Sequence, residues 1–274
     1  MPDTGAKFRA AVHRLTGISL PEAKAPMIEQ RLRRRVTDLG QATTEDYLRN
    51  LMAGRFGDDE MQLVIDLITT NTTSFFREKD HFDYLSSAML PQLLATQNRA
   101  VPRLKLWSAA SSEGAEAFTI AMVLAEAQRN GVKFDWAVLG TDISHSMVAK
   151  ARTGIYAAEQ VDQIDADLRH RYFMSAVDPK ANPEVRIVPE LRQKVRFQPM
   201  NLMDDRYPID RDIDVIFLRN VLIYFNSDDR TKVVRRLQTH LRPGGYLVVG
   251  HSEGMSVKTE GLLRIRPTIF RKAS

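Results

Sequence analysis

Leu104-Lys105-Leu106-Trp107-Ser108-Ala109-Ala110-Ser111-Ser112-Glu113-Gly114 runs from a strand pattern into a turn of small residues. The apolar stretch from Ala115 to about Arg129 predicts a helix. Ala137-Val138-Leu139-Gly140-Thr141-Asp142 then predicts a second strand ending in an acid. Strand, small-residue turn, helix and acid-tipped strand is how a nucleoside-binding doubly wound fold begins. Ala109, Ala110 and Gly114 allow close approach of a ligand, and the helix start supplies free N–H groups. Asp142, 28 residues after Gly114, stands where a carboxylate can accept both ribose hydroxyls.

The rest of the C-terminal part repeats the alternation. Ser144 is placed to cap a helix, and Val195 to Gln198 reads as a third strand. Asp214-Val215-Ile216-Phe217-Leu218 reads as a fourth, buried on both faces. A helix over Asp228 to Leu241, stopped by Arg242-Pro243-Gly244-Gly245, leads to a fifth strand, Tyr246 to Gly250, and Ile265 to Arg271 to a sixth. Such alternation predicts a mostly parallel α/β sheet with right-handed crossovers. The segment at about 157–194 is longer than a crossover needs and contains the alternating Val185-Arg186-Ile187-Val188, so a small inserted antiparallel β-subdomain is expected.

Residues 1–80 read instead as helical. Phe8, Val12 and Leu15 share one face; Ile28, Leu32, Val36 and Leu39 form a second stripe ending at Gly40. Tyr47, Leu48 and Leu51 suggest a third helix, and Met61 to Ile68 a fourth. Arg31, Arg34 and Arg35 are expected on the face of the second helix away from its stripe. The expected organisation is a helical domain at 1–80, a linker helix at 81–100 and an α/β domain at 101–274.

Composition narrows the function. With 274 residues and 43% hydrophobic side chains, the chain can bury a sizeable core. No apolar run approaches the ~18 residues of a membrane span. Met1 to Leu15 is broken by Asp3, Lys7, Arg9 and Arg14, so no secretory segment and no membrane insertion are expected. The absence of cysteine excludes disulfides, thiolate metal sites and cysteine nucleophiles, and fits a cytoplasmic protein. The net charge is +5, yet residues 1–80 hold 12 Lys and Arg against 12 Asp and Glu. Their basic character is concentrated in Arg31-Leu32-Arg33-Arg34-Arg35, which suggests a specific acidic partner more than a general polyanion.

The turn after the first strand is not G-x-G-x-x-G, and a Walker lysine is missing. A ligand without bridging phosphates is therefore expected, and S-adenosylmethionine is one. Its amino-acid tail needs a cation and an anion, for which Arg77 and Glu116 are candidates; a structural salt bridge is the alternative for each. A second polar cluster, Leu218-Arg219-Asn220-Val221-Leu222-Ile223-Tyr224-Phe225, sits where a buried strand ends, the usual ligand crevice of open α/β sheets. Asn220 and Tyr224 would face that crevice if a short turn follows; the alternative is that Arg219 pairs with a sheet-edge acid and Tyr224 merely packs. A third strip, Thr69-Thr70-Asn71-Thr72-Thr73-Ser74-Phe75-Phe76-Arg77-Glu78, carries many polar groups pinned by two aromatics. It reads as the wall of a ligand site or as an N-capped helix entrance.

These segments, with Trp107-Ser108-Ala109-Ala110-Ser111-Ser112-Glu113-Gly114-Ala115-Glu116, Gly140-Thr141-Asp142-Ile143, Ala151-Arg152-Thr153-Gly154-Ile155-Tyr156, Arg171-Tyr172-Phe173-Met174, Asn201-Leu202 and Gly250-His251-Ser252-Glu253, occur in the order of a known family. The sequence resembles the CheR family, S-adenosylmethionine-dependent glutamate O-methyltransferases of bacterial chemotaxis receptors. The resemblance implies an all-α N-terminal domain before a class I methyltransferase sheet with an inserted β-subdomain. It implies cofactor contacts from Asn71, Thr73, Arg77, Glu116, Asp142, Asn201, Leu202, Arg219 and Asn220, with Tyr224 near the transferring methyl and S-adenosylhomocysteine as product. The implied partners are methyl-accepting chemotaxis receptors, whose glutamate-rich helices Arg31, Arg34 and Arg35 are candidates to grip. Two departures stand out. Ala115 precedes Glu116 where paired glutamates are common, and the loop at 177–183 has no glycine, which argues against tethering to a receptor's C-terminal peptide. A nucleic-acid methyltransferase is disfavoured by the lack of an Asp/Asn-Pro-Pro-aromatic segment. A non-catalytic cofactor-binding regulator is the remaining alternative.

Overall fold

A computed structural model describes residues 4–57, 59–175, 183–257 and 260–273. Four helices open the chain: α1 (Thr4–Thr16), α2 (Ala25–Asp38), α3 (Thr44–Met52) and α4 (Asp59–Ile68). Each buries one stripe, and Phe8, Val12, Ile28, Leu32, Tyr47, Val64 and Ile68 form a core of their own. Leu15 departs from expectation. It is 42% exposed, and Ala11 fills the third buried place on its helix. α5 (Asp80–Tyr84) continues through the π turn Leu85–Met89 into α6 (Leu90–Ala95), which packs on the main sheet's core.

The sheet elements are β1 (Arg103–Ala109), α7 (Ala115–Arg129), β2 (Asp135–Asp142), α8 (His145–Thr153), β3 (Ile155–Ala157), α9 (Ala166–Tyr172), β4 (Phe173–Ser175) and β5 (Glu184–Ile187). They continue with α10 (Pro189–Lys194), β6 (Val195–Pro199), β7 (Ile213–Leu218), α11 (Ser227–His240), β8 (Leu241–Val249), β9 (Leu262–Arg266) and β10 (Ile269–Lys272). Among the described residues, seven strands pair in the order β6-β2-β1-β7-β8-β10-β9. The first five are mutually parallel, and β10 runs antiparallel to both β8 and β9. β1 and β7 lie centrally, and every residue of β7 is buried, as its unbroken apolar run requires. The strand order reverses between β1 and β7, which places a ligand crevice at their C-terminal ends.

A separate three-stranded antiparallel sheet, β3-β5-β4, forms the inserted subdomain. All of the loop at 177–183 except Pro183 lies outside the described residues.

Two expectations are corrected. Arg242-Pro243-Gly244-Gly245 is not a turn before the fifth strand but its beginning, because β8 starts at Leu241 and pairs with Ile213, with a register irregularity before Val215. Ile265 to Arg271 is not one strand: Pro267 and Thr268 turn the chain between β9 and β10.

Candidate functional site

The turn from β1 to α7 is built for close approach. Ala110 and Ser112 adopt left-handed φ of 62° and 49°, and Gly114, at 90°, caps α7. A Cβ on Gly114 would stand 2.8 Å from the Phe197 ring, so conformation and space both require glycine. The turn aims the backbone N–H of Ser112 at Asp142 Oδ2 (2.8 Å), while the Ser144 N–H donates to Oδ1 at 2.9 Å. Each oxygen keeps a lone pair for a further donor. Burial pushes the Asp142 carboxyl above the usual range, partly offset by these N–H groups.

A cleft opens over these strand ends. Asn71, Thr73, Arg77, Glu116, Asp142, Asn201, Leu202, Arg219, Asn220 and Tyr224 all line it. The strip from Thr69 to Ser74 is irregular backbone along one wall rather than a helix entrance. It is anchored by Phe75, which packs edge-on against Tyr156 and Phe173, and by the Ser112 hydroxyl donating to the Asn71 carbonyl at 2.7 Å.

Electrostatically the cleft has two kinds of group. Arg219 is 5% exposed and held between carboxylates: Nη1 donates to Glu116 Oε2 at 2.8 Å and Nη2 to Glu78 Oε2 at 3.1 Å and to the Arg77 carbonyl. Glu116 also accepts from the Ser108 hydroxyl at 2.6 Å. Of the two roles open to Glu116, the structural ion pair is therefore realised, and removing one partner of such a buried pair costs about 3–5 kcal/mol. Asn220, at φ 58°, donates from its side chain to Glu78 and from its backbone to Glu253. Burial raises the Glu78 carboxyl, but Asn220 and Arg219 outweigh it and hold it below the usual range. Burial presses the neighbouring His81 down to about 4, with the Arg219 charge adding to it, so the ring is neutral at pH 7.

Arg77 and Tyr224 are free by contrast. Arg77 is exposed, has no ion-pair partner among the described residues and donates only to the Thr72 carbonyl at 3.2 Å. The Tyr224 hydroxyl has no hydrogen-bond partner among them. Its ring lies 5.4 Å from the Lys24 ammonium, and its carbonyl accepts from Ser19 N–H at 2.8 Å.

The sequence reading missed the opposite wall, Thr16, Ile18, Leu20 and Lys24 between α1 and α2. No periodicity marks that loop. It is fixed across the cleft by Asn201, whose side-chain N–H donates to the Leu15 carbonyl at 2.6 Å.

Arg31, Arg34 and Arg35 lie outside the cleft and do not form one free face. Arg31 donates to the carbonyls of Ile68 (2.8 Å) and Thr69 (2.7 Å) at the end of α4, and Arg35 grips the buried Glu60 through two bonds. Only Arg34, with a 94% exposed side chain, and its neighbour Arg33 reach freely into solvent.

Comparison with known proteins agrees with the architecture. Residues 71–269 match the family model "CheR methyltransferase, SAM binding domain", and residues 3–69 match "CheR methyltransferase, all-alpha domain". Chemotaxis protein methyltransferase 2 of Pseudomonas aeruginosa is 37% identical over 269 residues, covering 97% of this chain and 92% of its own. The chemotaxis protein methyltransferase of Borreliella burgdorferi is 35% identical over 93% of this chain and 89% of its own. That of Escherichia coli is 36% identical over 89% and 82%.

Proposed function

This chain belongs to the CheR methyltransferase family and is an S-adenosylmethionine-dependent methyltransferase, and we propose that its acceptors are glutamate side chains on the cytoplasmic helices of chemotaxis receptors. The observation that carries the reading is the convergence, in one cleft, of the Asp142 carboxylate, the unpaired Arg77 guanidinium and the unpartnered Tyr224 hydroxyl. That donor and acceptor set fits the cofactor. Asp142 accepts from the ribose hydroxyls, Arg77 faces the amino-acid carboxylate, and the carbonyls and amides of Asn71, Asn201 and Leu202 line the remainder.

Bound S-adenosylmethionine supplies an electrophilic methyl, and its transfer to a carboxylate oxygen makes one O–C bond, breaks one S–C bond and moves no proton. A glutamate with a reference pKa of ~4.3 is already ionised near neutrality. No general base is required, and the cleft's own carboxylates are engaged: Glu116 by Arg219 and Ser108, Asp142 by two backbone N–H groups. The chain's part is to align an anion with a cationic centre and to exclude the water that would solvate both. Tyr224 orients the acceptor carboxylate, and Arg34 on α2 contacts the acidic receptor helix.

The test is incubation with methyl-labelled donor and receptor cytoplasmic fragments, in parallel with nucleic acid. Base-labile label on receptor glutamates is expected. Donor binding without label on the receptor would favour a non-catalytic regulator, and label on nucleic acid would overturn the acceptor assignment.

A further inference from the structure

Glu78, His81 and His251 meet directly behind the cleft. One ligating atom from each lies within 4.8 Å of the other two. His81 is fully buried, and its Nδ1 has no hydrogen-bond partner although Glu78 Oε2 lies 3.5 Å away. A buried ring nitrogen left without a partner asks for an occupant. The other nitrogens are held: His81 Nε2 contacts Thr268 Oγ1 at 2.8 Å, and His251 Nε2 contacts Asp80 Oδ1 at 3.1 Å. Outer partners of this kind fix the tautomer and orientation of metal-ligating imidazoles.

Charge points the same way. Glu78 and Glu116 flank the buried Arg219, and Asp80 holds His251, so the carboxylates at the cluster outnumber the one guanidinium. We propose that Glu78, His81 and His251 form a divalent-cation site, and that an ion bound there draws Glu78 away from Arg219 and Asn220 and so weakens donor binding in the cleft. Two imidazoles and a carboxylate suit Zn²⁺, whereas Mg²⁺ favours an all-oxygen shell. Bonds of about 2.0–2.2 Å place tetrahedral ligand atoms roughly 3.3–3.5 Å apart. The His81–Glu78 pair already has that spacing, and His251, held at Nε2 by Asp80, contributes an atom within 4.8 Å of both. The ion and Arg219 compete for Glu78 Oε2, which is the origin of the coupling.

The coupling rests on the reading of the cleft as the donor site; the metal site itself does not. The experiment is calorimetric titration of the full chain with zinc chloride, then magnesium chloride, for the wild type and His251→Ala, whose exposed position spares the fold. S-adenosylhomocysteine is then titrated with and without zinc. One equivalent of zinc and no magnesium should bind, with affinity about tenfold or more weaker in the variant. Zinc should raise the S-adenosylhomocysteine Kd several-fold in the wild type only. No zinc heat, or equal zinc affinity in both proteins, overturns the site. Zinc bound with no change in S-adenosylhomocysteine affinity overturns the coupling. Failure of S-adenosylhomocysteine to bind in zinc-free buffer counts against the donor cleft instead.

Discussion

Asp142 shows how burial and function meet in one side chain. Burial favours its neutral form, while the form that accepts two hydroxyl donors is the anion. Acidification therefore removes donor affinity at a higher pH than it would for a solvent-exposed aspartate. The S-adenosylhomocysteine Kd should rise on acidification, beginning at a higher pH than the ordinary aspartate range, and Asp142→Asn should bind about tenfold or more weakly with little of that pH dependence. Calorimetry across the pH series checks this; a pH profile unchanged in the variant would remove Asp142 from the ribose contact. Tyr224 and Arg77 divide differently. Tyr224→Phe deletes a hydroxyl that has no hydrogen-bond partner among the described residues, so kcat should fall by roughly 10–100-fold at unchanged S-adenosylhomocysteine affinity and unchanged Tm. Arg77→Ala should weaken donor binding as well. Wild-type turnover in both would refute the assignment.

At the scale of elements, α4 holds the cleft in place through its side chains. Asp66 accepts from the N–H groups of His145 (3.1 Å) and Ser146 (2.9 Å) in the first turn of α8, and Gln62 donates to the Ile143 carbonyl at 2.9 Å. Asp66 thus supplies a cap from another helix to the turn that follows Asp142. Asp66→Ala should cost about 1 kcal/mol and raise the S-adenosylhomocysteine Kd, with Asp66→Asn restoring part of the affinity; thermal melts and calorimetry measure both. Glu60 ties α4 to α2 and α3, accepting from Arg35 and from the Tyr47 hydroxyl. The Arg35 hydrogen bond, against the cost of burial, holds its carboxyl below the usual range. A depressed carboxylate stabilises the fold above its unfolded pKa of ~4.3 and loses that contribution as pH falls through its folded value. Glu60→Gln should therefore destabilise by on the order of 2 kcal/mol at neutral pH in urea unfolding, and the gap to wild type should narrow under acid. The same elements show what the sequence made legible. β1, α7, β2 and β7 are written in local apolar patterns, and Gly114 and Ser144 mark their turns. The Pro-Gly-Gly run at 243–245 reads as a turn because pairing with β7, which makes it a strand, is a long-range fact. Leu263-Arg264-Ile265-Arg266 alternates like a strand and only Pro267-Thr268 separates it from β10, so the two strands read as one. The i, i+3, i+4 spacing places Arg31 and Arg35 on the face of α2 away from its stripe but is blind to carbonyls and a carboxylate more than 20 residues away.

Across the whole molecule, the helical layer is pinned over the sheet by contacts that also shape the cleft. Asn201 reaches the Leu15 carbonyl, Ser19 reaches Tyr224, and His13 sits 3.1 Å from the buried Asp229. Under the proposed function a receptor helix would meet α2 and the cleft mouth together, where Lys24 lies 5.4 Å from the Tyr224 ring. Since Arg31 and Arg35 serve the fold, the charge available to such a partner on α2 comes from Arg33 and Arg34. Among the described residues Arg34 pairs only with Asp38, at 3.9 Å between exposed groups, a pair too weak to neutralise it. Reversing both charges, with Arg33→Glu and Arg34→Glu, should raise the KM for receptor fragments about tenfold at low salt, with kcat, Tm and S-adenosylhomocysteine affinity unchanged. The difference from wild type should shrink as salt rises from about 0.05 to about 0.3 M, because exposed charges are screened over roughly 10 Å or less in that range. Arg35→Glu is the contrasting case: it faces Glu60 with a like charge, so its effect should appear first as a loss of Tm. A KM unmoved by the double reversal would mean that the receptor is held elsewhere and that α2 contributes only its buried stripe.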